Sequence, residues 1–177
     1  MKLVVGLGNP GEEYEKTRHN TGRIVLEHVR KKLEDNKLKI KFLAPDNFMN
    51  NSGKAVAQFV KSKKDLSDLV VIYDDIDLPL GKMKISFNRS SGGHNGLGSI
   101  IKVLKSQEFL RIRVGISPVT PGGKLKKPSG EKAVLNFLLG EFKKPELEAI
   151  KKLSQKVVDA VESIFTEGSN KAMSLYN

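Results

Sequence analysis

The sequence predicts an α/β fold: a three-layer α/β/α sandwich around a mixed, mostly parallel, twisted sheet. Short apolar runs alternate with segments of helical periodicity along the chain, the pattern of a sheet covered by helices on both faces. One run, Leu69-Val70-Val71-Ile72-Tyr73, is continuously apolar and rich in β-branched residues, as a central strand covered on both sides requires. Two others alternate apolar with polar residues, which suits an edge position or an antiparallel partner and makes the sheet mixed.

Lys2 to Gly6 is a short apolar run ending in glycine and reads as a buried strand. After the turn-rich Gly8-Asn9-Pro10-Gly11, apolar residues recur at Ile24, Val25, Val29 and Leu33 with helical spacing, and Asp35-Asn36 is the expected stop. Leu38, Ile40 and Phe42 alternate with Lys39 and Lys41, predicting a strand with one wet face. A loop through Pro45 and Asn50 leads to a second helix, capped by Asn51 or Ser52, with Val56, Phe59 and Val60 inward. The central run is expected to end at Asp74-Asp75. Met83, Ile85 and Phe87 alternate with lysine and serine as the next strand. The loop Ser90-Ser91-Gly92-Gly93-His94-Asn95-Gly96 precedes a helix carrying Leu97, Ile100, Ile101 and Leu104. Leu110 to Ile116 is a further strand, with Arg111 and Arg113 on its opposite face. Residues 117–130, rich in Pro, Gly and Lys, read as a mobile loop. Helices over 131–139 and 145–166 follow, then a tail through Asn170-Lys171-Ala172-Met173. No internal repeat or linker divides the chain, so residues 1–177 are expected to form one domain.

With 177 residues the chain can bury roughly two-thirds of its unfolded surface without a disulfide or metal staple. Cysteine is absent, which excludes disulfides, thiolate zinc sites and cysteine nucleophiles and fits a reducing compartment. The N-terminal apolar run is too short for a signal peptide, and no stretch reaches the roughly eighteen apolar residues of a membrane span. A soluble, cytoplasmic protein is the expectation. Lys and Arg number 31 against 20 Asp and Glu, a net charge of +11. That excess favours encounter with polyanions such as nucleic acid, although a solvated lysine-rich surface would look the same. Membrane-surface binding is disfavoured, because no helix joins a basic face to an exposed aromatic one.

Gly6-Leu7-Gly8-Asn9-Pro10-Gly11 formally matches the dinucleotide fingerprint. That motif needs a helix opening directly on its glycines, so that N–H groups meet a pyrophosphate. Here Pro10-Gly11 turns the chain and Glu12 to Lys16 delay the helix, so no nucleotide cofactor is expected. The block reads instead as a sharp turn fixing Asn9 at the rim where open α/β sheets form their ligand crevices. His19, in the polar segment Thr17-Arg18-His19-Asn20-Thr21-Gly22, is a candidate general base. A base of this kind works best with a carboxylate on its other ring nitrogen, and Asp74 is the candidate. His28 lies within a helix and reads as structural; His94, in the glycine-rich loop, can reach a ligand. Asp75 and Asp77 are read as loop hydrogen-bonding groups. The acids of Asp74-Asp75-Ile76-Asp77 lack histidine spacing suited to a metal, so no metal is expected. No G-x-S-x-G elbow is present, which with the missing cysteine leaves activated water as nucleophile. Asn9, Asn50 and Asn95 offer donor and acceptor without charge, suited to a carbonyl or ribose hydroxyl, though turns use asparagine equally.

Together these blocks resemble the bacterial-type peptidyl-tRNA hydrolases. Gly6 to Gly11, Tyr14 and Thr17 to Gly22 are similar to the family's opening signature. Pro45, Phe48-Met49-Asn50 and Ser52-Gly53 resemble its second block, Asp74 with Asp77-Leu78-Pro79 and Gly81 its third, and Gly92 to Leu97 its fourth. Ala172-Met173 and Asn177 are similar to its C-terminus. The resemblance implies a monomeric, metal-free α/β/α enzyme that hydrolyses the ester joining a peptide to the 3′ ribose of tRNA. It implies that His19 activates water and Asp74 orients and polarises it. Asn9, Asn50 and Asn95 would position peptide and water, His94 and Met49 would line the crevice, and Tyr14 would lie near the tRNA end. Lys102, Lys105, Lys124, Lys126 and Lys127 would meet the RNA backbone. The rival expectations are a non-catalytic RNA-binding relative of the same fold, which would need no His19–Asp74 pair, and a small-molecule esterase. The chain departs from the family in a shortened segment between His19 and Pro45, where a strand or hairpin is missing, in Asn47 for threonine, and in Tyr73 for histidine.

Overall fold

The computed structural model describes residues 1–35 and 37–177, so the Asn36 half of the expected helix stop lies outside the described residues. The strands are β1 (Leu3–Gly6), β2 (Lys41–Leu43), β3 (Leu69–Pro79), β4 (Met83–Phe87) and β5 (Leu110–Ser117). They form one sheet in the order β2-β1-β3-β5-β4. β1 runs parallel to β2 and β3, β3 runs parallel to β5, and β4 is antiparallel to β5. Both strands predicted from one-sided alternation, β2 and β4, lie at the edges, where one wet face costs nothing.

The helices are α1 (Thr21–Leu33), α2 (Ser52–Ala57), α3 (Lys63–Ser67), α4 (Asn95–Leu104), α5 (Glu131–Leu139), α6 (Lys144–Thr166) and α7 (Ser169–Tyr176). Alternation along the strands splits the core into two layers. Val4, Val70, Ile72, Ile112 and Val114 pack with residues of α1, α6 and α7. Leu3, Val5, Leu69, Val71 and Tyr73 pack with residues of α2 and α4. Each fully buried Val, Leu or Ile contributes about 1.5–3 kcal/mol, so both layers hold the sheet. The fold is therefore the predicted α/β sandwich with a mixed, mostly parallel sheet. No helix among the described residues is long and apolar enough to cross a membrane.

Four details differ from the expectation. β3 does not stop at Asp74 but continues to Pro79, pairing Asp74 with Val114 and Asp75 with Gly115 before a register shift leads to Pro79 opposite Ser117. Its acids are tolerated because each finds a charged or ring partner. β2 begins only at Lys41, because Lys39 takes a left-handed backbone (φ 53°) that an extended run cannot contain. The short α3, capped by the Ser62 hydroxyl accepting from the Asp65 N–H, has too little periodicity to be read from sequence. The expected tail is α7, after which the Asn177 amide accepts from the Ile85 N–H (2.7 Å) and donates to its carbonyl (2.9 Å). The last side chain thus covers part of β4's free edge, which would otherwise invite pairing with another chain.

Close backbone approach fixes where α1 starts. A Cβ on Gly22 would sit 2.4 Å from the Ile72 carbonyl oxygen and 2.5 Å from the Leu7 nitrogen. Only glycine lets the first turn of α1 rest directly on the end of β1 and on β3 at Ile72, and that turn follows His19.

Candidate active site

The site forms where β1 ends beside the middle of β3. The Leu7 N–H donates to the Ile72 carbonyl (3.0 Å), carrying the chain off the sheet toward Asn9. Arg18 to Asn20 form a single 3-10 turn before α1. It is held by the Thr17 hydroxyl on the Tyr14 carbonyl, the Thr21 hydroxyl on the Arg18 carbonyl and the Arg18 N–H on the Gly140 carbonyl. This turn points His19 at Asp74, a residue of the extended part of β3.

Asp74 bridges two histidines. His19 Nδ1 lies 2.9 Å from Asp74 Oδ2, and His94 Nε2 lies 3.0 Å from Asp74 Oδ1. Asp74 is 3% and His19 5% exposed, so water screens this network little. Burial would push the Asp74 carboxyl up; the histidines facing its oxygens outweigh burial and hold it well below the usual carboxylate range. Burial also lowers His19, yet the Asp74 charge and hydrogen bond hold it above its ordinary value of 6.5. An ionised carboxylate only accepts, so His19 Nδ1 donates and Nε2 keeps the lone pair a base needs. The Leu97 N–H donates to His94 Nδ1 (3.2 Å), capping α4 and leaving His94 Nε2–H to donate to Asp74. His94 therefore holds Asp74 with one nitrogen and a helix end with the other. Beside it, Tyr73 stands edge-on with ring centroids 5.0 Å apart, its hydroxyl pushed up to about 12, chiefly by burial.

His19, Asp74 and His94 offer donor atoms within 4.8 Å of one another, as a metal site would. Their chemistry fits a hydrogen-bond relay better. Taking up an ion through His94 Nε2 would move its proton to Nδ1, against the Leu97 N–H, and both Asp74 oxygens already accept.

These groups open on a cleft of about 550 Å³, walled on one side by the 89–95 segment with Asn95 and on the other by Val134, Leu135 and Leu138 of α5. Arg18 ties α5 to the His19 turn: its guanidinium donates to the Phe137 carbonyl (3.2 Å), stacks 4.4 Å from the Phe137 ring and pairs with Glu146 at 3.5 Å. Asp75 and Asp77 also line the cleft, on β3 rather than in a loop as expected. Asp75 pairs with Arg113 (2.7 Å) and accepts from the Asp77 N–H, and Asp77 pairs with Lys127. Asn95 opens α4 instead of sitting in a loop.

The other predicted residues lie on the flank of the cleft. Asn9 Oδ1 accepts from the Met49 N–H (2.8 Å), which fixes the 3-10 turn Met49–Asn51 that carries Asn50. Met49 is buried against Gly96, where a Cβ would lie 2.3 Å from its sulfur. Asn50 is exposed, and Tyr14 meets the exposed Phe48 edge-on at 6.3 Å. The structure does not bring Asn9, Tyr14, Met49 or Asn50 into the lining of the His19 cleft. Lys102, Lys105, Lys124 and Lys126 are exposed, as is Lys127. The 117–130 loop carries a local turn, with Thr120 and Lys124 joined through backbone atoms (2.8 Å).

Two contributors escaped sequence reasoning. Asn20 donates to the Asn9 carbonyl (2.9 Å) and accepts from the Asn9 N–H (2.8 Å), locking the β1 turn to the His19 turn. Arg111 is fully buried and donates to the carbonyls of Ser90 (2.9 Å) and Gln107 (3.2 Å), fixing the root of the His94 loop. The signal for Arg111 was present: a charged residue inside an otherwise apolar strand needs internal partners.

Comparison with known proteins gives the family and the fold. A family model described as peptidyl-tRNA hydrolase matches residues 3–177. A peptidyl-tRNA hydrolase of Thermoanaerobacter sp. (strain X514) is 42% identical over 194 aligned positions, covering 100% of both chains. That alignment is longer than the 177 residues here, so it opens gaps in this chain. The Thermotoga maritima peptidyl-tRNA hydrolase is 41% identical, covering 99% of this chain and 96% of its own. The crystal structure of the Acinetobacter baumannii peptidyl-tRNA hydrolase superposes with a TM-score of 0.84 at 26% identity, covering 100% of this chain and 94% of that one. By sequence match across nearly its whole length, the chain belongs to the peptidyl-tRNA hydrolase family.

Proposed function

We propose that this protein hydrolyses the ester between a peptide and the 3′ ribose of tRNA, with His19 as general base. The observation that carries the proposal is the buried, ionised Asp74 accepting from His19 Nδ1, which leaves Nε2 as the acceptor in the cleft. Nε2 takes a proton from water as the water oxygen bonds to the ester carbonyl carbon. Asp74 stabilises the imidazolium that forms and keeps its ring aimed. The tetrahedral intermediate collapses, the 3′ oxygen leaves with the proton from His19, and the products are free tRNA and a peptide acid that gives its proton to solvent. Asn95, in the first turn of α4 and on the cleft lining, stabilises the negative oxygen. Asn9 and Asn50 act from the flank, where Asn9 sets the turn that presents Asn50; Met49 packs beneath that turn against Gly96, and Tyr14 borders the RNA end.

The cofactor-free, metal-free reading follows from the donor chemistry of the relay. The mechanism calls on no group from a second copy, and we read the enzyme as a monomer. The +11 charge, with Lys102, Lys105, Lys124 and Lys126 exposed, supports phosphate contacts that ignore sequence, as an enzyme serving many tRNAs in the cytoplasm needs. The test is release of free tRNA from an N-acetylated aminoacyl-tRNA in excess over protein, with EDTA present. Multiple turnover is expected. Folded protein that binds tRNA without turnover would overturn the proposal in favour of an RNA-binding relative, and turnover abolished by EDTA would overturn its metal-free form.

A further inference from the structure

We infer that Arg89 is a substrate-binding residue that takes a phosphate group of the tRNA acceptor end into the rim of the His19 cleft. The inference rests on the hydrolase reading and adds a contact to it. Arg89 is exposed and lines the same cleft as His19, Asp74 and His94. The neighbouring cations are already neutralised, Arg113 by Asp75 and Lys127 by Asp77. Arg89 makes no ion pair among the described residues.

Three of the acids lining the cleft are already engaged, Asp74 by the histidines, Asp75 by Arg113 and Asp77 by Lys127. Glu131 stands on the α5 wall, and the segment carrying Arg89 is held in place. Arg111 lies close beneath it, fully buried, with carbonyls rather than a carboxylate as its partners. Burial, and to a smaller extent the Arg89 charge, pull Arg111 below its ordinary value, so the two guanidiniums repel each other. An anion at Arg89 relieves that repulsion. Asn88, just before it, takes a left-handed backbone (φ 48°), and the carbonyl of Ser90, just after it, is held by Arg111. Arg89 is thus anchored on both sides. Ser90 and Ser91 follow with hydroxyl donors, and Gly92 and Gly93 (φ 58° and 85°) leave room for an anion to approach their N–H groups. A guanidinium with such donors suits the oxygens of a phosphate. Every substrate of the proposed reaction carries phosphodiesters close to its terminal ribose, whereas an acidic peptide side chain is present only in some.

The experiment compares wild type, Arg89→Gln and Arg89→Lys on N-acetylglycyl-tRNA, N-acetylaspartyl-tRNA and the phosphate-free N-acetylglycyl ester of adenosine. The inference predicts that Arg89→Gln loses about tenfold more kcat/KM on both tRNA esters than on the adenosine ester, through KM. The salt dependence of log kcat/KM should flatten by about 0.7–0.9, one phosphate contact. Arg89→Lys should recover part of the loss. Equal losses on tRNA and adenosine esters would overturn the inference, since a merely structural role would not distinguish them. A loss confined to the aspartyl substrate would assign the site to a peptide carboxylate instead. Wild-type inactivity on all three would sink the hydrolase reading and this contact with it.

Discussion

Replacing Asp74 by asparagine keeps the shape of the side chain and removes one charge and one acceptor. Two histidines then compete for a single oxygen. His94 is fixed as a donor toward position 74, because its other nitrogen accepts from the Leu97 N–H. The oxygen of the substituted amide therefore turns to His94, and its NH2 group faces His19 Nδ1. A donor there forces Nδ1 to accept, moves the proton to Nε2 and leaves the cleft without a base. With the tautomer inverted, turnover should fall by roughly 10³- to 10⁴-fold, about 4–5.5 kcal/mol of barrier. The pH profile carries the second signature. Since the working base is unprotonated, wild-type kcat/KM should fall as pH drops through the raised His19 value, above 6.5. In Asp74→Asn the residual activity should lose this limb to lower pH, because burial, which lowers His19, is no longer opposed. Stability follows the same linkage. Raised His19 contributes stability that is full below 6.5 and lost as pH rises through its folded value, and depressed Asp74 contributes above 3.8 and loses it on acidification. The variant should therefore be most destabilised between those two values, as urea unfolding across pH would measure. Adding His94→Ala to Asp74→Asn frees the amide oxygen for His19 and should restore part of the rate. Activity of Asp74→Asn within tenfold of wild type, with an unmoved acid limb, would refute this reasoning.

Deleting Asn177 removes both contacts to Ile85 and should cost about 1–3 kcal/mol, lowering Tm by several degrees in calorimetry; an unchanged Tm would show the terminal amide to be idle. Gly22→Ala forces a Cβ against the Ile72 carbonyl and should cost about 1–3 kcal/mol and reduce turnover, whereas Gly98→Ala, whose nearest neighbour lies at 3.8 Å, should be neutral or stabilising by about 0.5–1 kcal/mol. The reverse order of Tm values would contradict the packing described. Changing Lys124, Lys126 and Lys127 together to glutamine should flatten the salt dependence of tRNA binding by nearer two phosphate contacts than three, because Lys127 is already paired with Asp77. An unaltered slope would move the RNA surface elsewhere.

Much of the fold was legible because its elements obey one period each. The Leu69–Tyr73 run announces the central strand, and the one-sided alternation of Met83, Ile85 and Phe87 announces an edge. What hid was decided by tertiary partners. Nothing in Asp74-Asp75-Ile76-Asp77 looks like a strand until His19, His94, Arg113 and Lys127 arrive from distant segments to satisfy its carboxylates. α7 hid because Ala172 is its one fully buried residue among those described, and its end is fixed by Asn177 on another element. In the site, His19 and Asp74 could be paired in advance, since a base needs an orienting carboxylate at a strand end. The double duty of Asp74 could not, because it depends on the His94 ring orientation set by α4. Nor could Asn20, whose amide serves the backbone of Asn9 and resembles any helix-capping asparagine in sequence.

The most direct test places His19→Ala beside wild type and measures two quantities on N-acetyl-aminoacyl-tRNA: single-turnover release of tRNA and equilibrium binding of the intact ester. Loss of the base should slow release by at least roughly 10²- to 10⁴-fold while binding stays within a few-fold of wild type. Release at the wild-type rate, or a loss of binding that accounts for the whole loss of rate, would contradict the assignment of His19 as the base.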